Sequence, residues 1–328
     1  MNKKHAKCPF CEGKIIRYGV RRRRCVQCEK TWTVRPKRRG RKARRITTVP
    51  VKKYLNHERI PLARERRGTT VSASRSARLR KERDAFNKKQ SWHSIPDGPL
   101  IMIADAIVKY RNGSWHTWFF VFMRTTNSED AVILPPHYAT GRETCEGWSD
   151  AFETVPPDAL KRVKALVSDG HRGLMREALW RGWFVQRCHI HLIMAIQARK
   201  SRWSMGRKRS EGEEIFMLTN CVLKNPHAEE VRNALSRIEE IGWMTKSKML
   251  KKVLQGFVTS AEDYRTYLNH PELNLPTTSN TAESLNALVD NLSSRAHGFR
   301  SIVSLNAWII ALCKDRGTMK CRGKYQQN

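Results

Sequence analysis

One stretch of the sequence constrains the fold more than any other, the segment from Lys164 to Leu192, KALVSDGHRGLMREALWRGWFVQRCHIHL. A short apolar run, Ala165 to Val167, ends in Ser-Asp-Gly; a helical segment, His171 to Arg181, follows, and a second apolar run leads into Cys-His-Ile-His. This order predicts a strand, a helix and a second strand of a sheet. Asp169 then lies at the rim of that sheet, where sites are usually built, although acids also commonly follow strands as helix caps.

The chain before this stretch predicts more strands of the same body. Two apolar runs, Leu100 to Tyr110 and Trp115 to Met123, flank Arg111-Asn112-Gly113, which is a strong hairpin turn signal. A third run, Ala131 to Leu134, adds a strand, and residues 141–166 have the spacing of a helix. We therefore predict an α/β fold, a mixed sheet flanked by helices.

Two further acids stand in surroundings that resemble those of Asp169. Asp105 directly follows the apolar residues 100–104, at the end of the first predicted strand. Glu283 lies within residues 278–286, TSNTAESLN, which are typical of the start of a helix. Apolar residues then recur at helical spacing, so this helix is expected to pack on the sheet.

The positive charge of the chain is concentrated near its N-terminus. The net charge is +33 over 328 residues, and residues 1–95 hold 31 Lys and Arg against 6 Asp and Glu. This region is therefore expected to bind a polyanion, with nucleic acid favoured over an acidic membrane surface. The sequence contains no apolar run of about 18 residues, so no membrane-spanning helix is predicted. The first residues contain no apolar signal core, and we expect a cytoplasmic, reduced setting without export.

Two C-x-x-C pairs mark the N-terminal module, Cys8 with Cys11 and Cys25 with Cys28, separated by 13 residues. Each pair can hold one side of a tetrahedral Zn²⁺ ion, a pattern typical of a zinc ribbon, and Trp32 would pack on the small metal core. Four cysteine ligands leave no open position for catalysis, so the zinc would be structural. Two separate redox pairs are the weaker alternative.

The basic residues that follow predict DNA contacts. Residues 35–45, RPKRRGRKARR, are interpreted as a linker or as an arm in a DNA groove. A first helix, Pro61 to Arg67, a break and a basic second helix capped by Ser72 predict a helix-turn-helix; the alternative is a generic helical pair with a solvated face. The candidate DNA-binding residues are Arg21, Arg22, Arg23 and Arg24 in the ribbon, Arg41 in the linker, and Arg75, Arg78, Arg80, Lys81 and Arg83 on the second helix.

The 91 residues between His191 and Glu283 exceed what one connection needs, and they predict a helical insertion. Its helices are expected at residues 192–203, 213–223, 228–241 and 246–267. Trp243 follows a glycine at a break between two of these helices. An exposed indole there would stack on a flipped base, whereas the alternative is a core tryptophan.

The three acids and their spacing resemble the acidic trio of DDE transposases with an RNase H-like fold. More narrowly, Cys188 and His191, in the sequence CHIH after Asp169, resemble the C-x-x-H signature of bacterial insertion-sequence transposases related to Mutator-like elements. The sequence SNTAESLN around Glu283 is similar to the family's stretch around its third acid. The resemblance covers roughly residues 100–312, and an N-terminal zinc ribbon with a helix-turn-helix also suits this family's end-binding region.

The resemblance implies a metal-dependent reaction on DNA. Two Mg²⁺ or Mn²⁺ ions would be held by carboxylates, with Asp105 bridging them, Asp169 on one ion and Glu283 on the other. Cys188 and His191 would support the scissile phosphate or the fold, or only make packing contacts and a hydrogen bond. His171 would touch phosphate or simply begin a helix. Asp290 is a weaker candidate for the third acid.

We therefore predict a DNA transposase that binds the ends of a mobile element, cuts and joins strands, and works on double-stranded DNA as a homodimer or larger assembly, associated with the bacterial nucleoid. The alternatives are a structure-selective nuclease of the same fold and a non-catalytic DNA-binding regulator. The expected parts are a zinc ribbon at 1–34, a basic linker at 35–47, a helix-turn-helix at 48–95, an RNase H-like core at 96–194 and 276–328, and a helical insertion at 195–275.

Overall fold

The fold is described from a computed structural model, which describes residues 7–19, 22–33, 51–56, 70–200, 209–296, 299 and 301–321. The chain divides into two compact units, Met1–Pro50 and Val51–Asn328. Each unit is treated by itself below.

The first unit holds a small antiparallel sheet of three strands, β1 (Ile15–Arg17), β2 (Arg22–Cys25) and β3 (Thr31–Thr33), in that order. Trp32 lies on β3, and its ring meets the edge of Phe10 at a centroid distance of 6.0 Å. The sheet is too small to bury a core of its own, so the unit needs another source of stability.

The second unit is built on a mixed sheet, as the sequence predicts. A long hairpin, β4 (Leu100–Arg111) and β5 (Ser114–Thr125), turns at Asn112 and Gly113, which both have positive φ, at 51° and 82°. This is the backbone that an Asn-Gly hairpin turn requires. The remaining strands are β6 (Asp130–Ile133), β7 (His137–Thr140), β8 (Val163–Ser168), β9 (Phe184–Arg187) and β10 (Thr318–Lys320).

The strand order is β10-β6-β5-β4-β8-β9, with β7 also paired to β5. Strands β4, β8 and β9 run parallel, and the other pairings are antiparallel. Asp105 does not end the first strand, because the hairpin continues to Arg111 on its β5 side while β8 stops at Ser168. The prediction of a strand end at Asp105 is therefore wrong for β4, although the parallel pairing does end just before this residue.

Helices cover both faces of the sheet. Residues 141–166, predicted as helical, contain α3 (Cys145–Glu153), α4 (Pro157–Arg162) and the start of β8, because Pro156 and Pro157 interrupt the helix. With α5 (Arg172–Arg181), they bury a core in which Leu100, Met102 and Ala104 of β4 join aromatic side chains such as Trp148 and Phe152. Alternate residues of β4 therefore point to the opposite face.

That opposite face carries α11 (Asn280–Arg295) and α12 (Ile302–Arg316), and the Trp118 Nε1 of β5 donates to Asn306 Oδ1 at 3.0 Å. Two earlier helices, α1 (Val51–Asn56) and α2 (Thr70–Lys89), precede the sheet. Helix α2 packs on α12: Arg83 donates to Ser304 and lies over the Trp308 ring at 5.7 Å.

The basic helix thus differs from its prediction in two respects. It begins at Thr70, so Ser72 lies inside it rather than capping it, and Arg83 is buried against α12 instead of facing solvent. The predicted first helix of the pair, residues 61–67, lies outside the described residues.

Along the sequence, a run of helices lies between β9 and α11, where the sequence predicts a helical insertion. It comprises α6 (His189–Lys200), α7 (Arg209–Lys224), α8 (Ala228–Met244), α9 (Lys248–Thr259) and α10 (Thr266–Asn269), with short 3₁₀ turns at Glu262–Tyr264 and Pro271–Leu273. The single helix expected at residues 246–267 is therefore broken after Thr259. These helices bury a core of their own, in which Leu192, Ile238, Leu254 and Phe257 take part.

Candidate active site

Two carboxylates lie at the carboxyl edge of the parallel strands. Ile103 of β4 pairs with Val167 of β8, so Asp105 and Asp169, each two residues further on, stand at the same level of the sheet. Their side chains interact electrostatically, because the charge of Asp169 adds to burial in raising the pKa of Asp105. Sequence motifs separated by 64 residues are thus brought to one edge.

Burial and charge together destabilise the ionised form of Asp105. Burial, and after it the negative charge of Asp169, raises its pKa to about 7, and the backbone N–H of Ala106 opposes this by donating to Oδ1 at 2.9 Å. A carboxylate held among other acids in this way is relieved by a bound cation.

The turn after β8 fixes Asp169. The His171 N–H donates to Asp169 Oδ1 at 2.9 Å, and Gly170 has a φ of 92°. A Cβ on Gly170 would lie 2.3 Å from the Arg187 Nε, so only glycine fits both the backbone and the guanidinium above it. His171 itself caps α5, because its Nδ1 accepts from Gly173 N at 3.1 Å, which supports the interpretation as a helix-start residue.

Glu283 lies in the first turn of α11, as the sequence predicts. Its Oε1 is 3.5 Å from His191 Nδ1, and within the described part of the chain neither of these buried atoms has a hydrogen-bond partner. The same helix reaches β4 through Asn286, whose Nδ2 donates to Asp105 Oδ2 at 2.8 Å. Glu283 therefore stands on an element that touches the first acid directly.

Cys188 and His191 flank the start of α6. The Cys188 Sγ accepts from Ser279 N at 3.4 Å, just before α11, and the Cys188 N–H donates to Ser168 O at 2.8 Å. The hydrogen bond with Cys188 raises the pKa of His191 to about 9, despite the opposing effect of burial, while Asp169 and Glu283 add to the rise. The two residues thus connect the end of β8, α6 and the N-terminal end of α11.

The ligand atoms of Cys188, His191 and Glu283 all lie within 4.8 Å of one another. Those of Asp105, Asp169 and Glu283 do not form such a group; within the described part of the chain, the other compact group is that of the ribbon cysteines.

One acid at this edge escaped the sequence interpretation. Glu143 accepts from Trp148 Nε1 at 2.8 Å and lies 3.5 Å from His171 Nδ1. Burial is the main cause that raises its pKa, and Asp169 raises it further. Glu143 precedes a helix in a polar turn, and no spacing in the sequence relates it to Asp169.

The ribbon cysteines converge. Cys8 Sγ is 3.6 Å from Cys28 Sγ, Cys11 Sγ is 3.4 Å from Cys25 Sγ, and all four lie within 4.8 Å of one another. Sulfurs around one tetrahedral zinc ion are about 3.8 Å apart. The backbone N–H groups of Cys28 and Gln27 point at Cys25 and lower its pKa to about 6, so the set suits a metal that binds thiolate.

The candidate DNA contacts are placed unevenly. Arg22 is exposed, Arg23 is half-buried, and Arg24 pairs with Glu29 at 3.1 Å. Arg80 and Lys81 are exposed on α2. Arg21, Arg41 and the side chains of Arg75 and Arg78 lie outside the described residues.

Trp243 is 63% exposed in the last turn of α8, with Lys251 Nζ 3.9 Å from the centre of its ring, so the core-tryptophan alternative is wrong. The competing acid Asp290 is exposed and pairs with Lys109. No helix in the described part of the chain is long and apolar enough to cross a membrane.

The fold and the site together define an α/β protein with an acidic centre at the end of its parallel strands. The model of the Mutator family of transposases matches residues 106–318, well over half of the chain, and the chain belongs to this family. The match includes Asp169, Cys188, His191 and Glu283, and it begins one residue after Asp105. Membership makes the chain a transposase, with DNA as its partner. No curated protein matches it.

Proposed function

We propose that the chain is a DDE-type transposase with an RNase H-like catalytic core, and that Asp105, Asp169 and Glu283 form its metal centre. The observation that carries the proposal is the position of Asp105 and Asp169 at the same level of the sheet, where the parallel pairing of β4 with β8 ends, with the helix of Glu283 hydrogen-bonded to Asp105. Asp105, Asp169 and Glu283 would together hold two Mg²⁺ or Mn²⁺ ions.

The residues present suit hard cations. Carboxylate oxygens are the ligands such ions prefer, and the Glu283 Oε1 is buried without a hydrogen-bond partner. When bound, the ions would polarise the scissile phosphate and stabilise the attacking and leaving oxygens. The protein's part is to hold the three carboxylates on separate elements and to keep His191 beside Glu283, with Nδ1 of the histidine 3.5 Å from Oε1 of the glutamate.

DNA ends would be held chiefly by the N-terminal region. Its charge of +25 over residues 1–95 supplies phosphate contacts, and a Zn²⁺ ion on Cys8, Cys11, Cys25 and Cys28 would fold the ribbon that carries the arginines of β2. The exposed Trp243 with Lys251 beside it would stack on a distorted DNA end, and the protein would act as a dimer or larger assembly on DNA.

A structure-selective nuclease with the same centre is the second candidate, since strand transfer and hydrolysis need the same carboxylates. A regulator without catalysis is the third, and three acids kept on facing elements weigh against it.

The test incubates the full chain with labelled DNA ends taken from the sequence that flanks its gene, in Mn²⁺ or Mg²⁺. Joined products support a transposase, cleavage without joining supports the nuclease, and binding alone supports the regulator. Asp169→Ala should lose both products, and Asp158→Ala, at an exposed acid of the same unit, should keep them.

A further inference from the structure

Helix α11 is tied to β4 by two polar contacts that share one spacing. Asn286 Nδ2 donates to Asp105 Oδ2 at 2.8 Å, and four residues further along both elements Asp290 pairs with Lys109. Residues four apart lie on one face of a strand and on one face of a helix. The two contacts therefore form a ladder between the same two faces.

The ladder has a geometric problem that its residue types solve. Four residues span about 13 Å in a strand but about 6 Å in a helix, so the second rung needs a long side chain. Lys109 provides one, and only 16% of its side chain is exposed although its partner Asp290 is 65% exposed. The lysine stem lies against the protein while its ammonium group reaches the helix.

Glu283 lies three residues before Asn286, on the same side of α11. The rotation and the axial position of the helix, which the two rungs fix, thus also fix where the Glu283 carboxylate stands relative to Asp105. Asn286 has a second property: its Oδ1 is buried and has no hydrogen-bond partner among the residues that the structure describes. An orphaned buried oxygen beside an acidic centre is most simply explained by a partner that arrives with the functional complex.

We infer that Asn286 is a positioning residue of the catalytic centre, which orients the Asp105 carboxylate for metal binding, and that the Lys109–Asp290 pair holds α11 in the register that Asn286 needs. The inference rests on the proposed function, because it assigns a task toward the metals of that centre. Loss of a group that orients a metal-binding carboxylate by a hydrogen bond typically lowers metal affinity or activity about 10- to 100-fold.

The test measures Mn²⁺ binding by the electron paramagnetic resonance signal of the free ion, on zinc-loaded full chain, together with strand cleavage as a function of Mn²⁺ concentration. Asn286→Ala should weaken Mn²⁺ binding about 10- to 100-fold and raise the Mn²⁺ concentration needed for cleavage by a similar factor. End binding and the thermal unfolding midpoint should stay close to wild type. Ser284→Ala, at an exposed position of the same helix, is the matched control and should change neither quantity.

The second rung gives an independent test by charge exchange. Lys109→Asp and Asp290→Lys should each weaken Mn²⁺ binding by a smaller factor, about threefold, because this pair acts only through the helix position. The double variant with both charges exchanged should recover most of the loss. This arm decides the question if Asn286→Ala does not fold.

Wild-type Mn²⁺ affinity and cleavage in Asn286→Ala would overturn the inference, as would a change confined to thermal stability. Failure of the proposed function looks different. If wild type and Asp169→Ala bind Mn²⁺ equally and neither cuts DNA, the metal centre itself is wrong, and the role of Asn286 falls with it.

Discussion

The ribbon and the acidic edge of the sheet both gather side chains of kinds that bind metals, but over very different lengths of chain. The four ribbon cysteines all lie within residues 8–28, with Cys8 and Cys11 before β1, Cys25 at the end of β2 and Cys28 in the turn after it. Asp105 and Glu283, by contrast, lie on opposite sides of the helical insertion in the sequence. The ribbon has almost no apolar core, while β4 and β5 are buried along most of their length.

The two regions differ in whether the fold depends on metal binding or forms independently of it. In the ribbon the sulfurs meet in the middle of the unit, so a bound metal would supply the energy of folding. At the acidic edge the buried core of the sheet supplies the packing, so the fold is expected to form without a metal. Burial, and after it the charge of Asp169, raises the pKa of Asp105 there. Removal of metals by a chelator should therefore unfold the ribbon, whereas the acidic edge should keep its fold and lose only activity.

The largest expected effect is on the ribbon. Cys25→Ser should lose zinc, and with it metal-coupled folding free energy that amounts to about 10 kcal/mol or more in small zinc modules. End-specific binding should be lost while the second unit keeps its cooperative unfolding. Elemental analysis and binding assays check this, and wild-type protein purified without zinc would contradict it.

The acidic edge should show the converse behaviour. Asp105→Ala, Asp169→Ala and Glu283→Ala should each lower cleavage and joining on the order of 10³-fold or more, since no remaining carboxylate replaces a lost ligand. End binding should persist or improve slightly, because one charge that repels the DNA backbone is gone. Cleavage by Glu283→Ala at the wild-type rate would move the search for a third acid to Asp290 and Glu272.

The metal requirement divides the two regions in the wild-type chain. Cleavage should stop in a chelator that removes Mg²⁺ and return with Mg²⁺ or Mn²⁺, whereas Ca²⁺, with its longer and looser coordination, should support binding but little chemistry. Cleavage that proceeds equally well in Ca²⁺ would contradict a centre made of these carboxylates.

A smaller effect on stability follows from the charge held at the acidic edge. The pKa of Asp105 rises from 3.8 to about 7 in the fold, so the native state binds its proton more tightly than the unfolded state does between about pH 4 and 7. The free energy of unfolding of the wild-type protein therefore decreases as the pH rises through that window. Asp105→Asn should raise the free energy of unfolding by about 1–2 kcal/mol at pH 8, after discounting for partial exposure, and by little at pH 4.

Urea unfolding in chelator at the two pH values measures this difference. An equal gain at pH 4 and pH 8 would indicate a packing effect rather than relief of charge.

The smallest expected change in stability is at the surface of the insertion. Trp243→Ala should alter the free energy of unfolding by less than about 0.5 kcal/mol, because the indole is exposed, yet it should weaken strand joining if the ring stacks on DNA. Trp148→Ala is the contrasting control: this ring is fully buried, and its loss should cost about 3–5 kcal/mol. Unchanged joining by Trp243→Ala would remove its proposed role.

Local signals in the sequence predicted much of this fold. The Asn-Gly turn, the strand before Asp169 and the amphipathic helix after Glu283 are each decided by neighbours within a few residues, and all three are found. The short strand β7 was missed because its four residues are only half-buried and gain their identity from pairing with β5.

Long-range contacts explain what local signals could not predict. Arg83 looks like any other cation of a basic helix, and only its packing on Trp308 separates it from the exposed Arg80. Glu143 reaches the turn after Asp169 only through tertiary packing, 3.5 Å from His171, and Asn286 reaches Asp105 by a hydrogen bond to a residue 181 positions away in the sequence. The candidate acids could be named from their motifs, but the residues that orient them could not.

The way the insertion leaves and rejoins the sheet has a consequence for how this protein can change. The His189 N–H donates to Thr277 O at 2.9 Å, and Cys188 Sγ accepts from Ser279 N. The chain segments at the two ends of the helical insertion are therefore hydrogen-bonded to each other. Because these hydrogen bonds hold the two ends of the insertion together, its helices can be lengthened, shortened or exchanged without moving Glu283 away from the strands. The helices of the insertion can thus vary in length and sequence while Glu283 and the strands keep their relative positions.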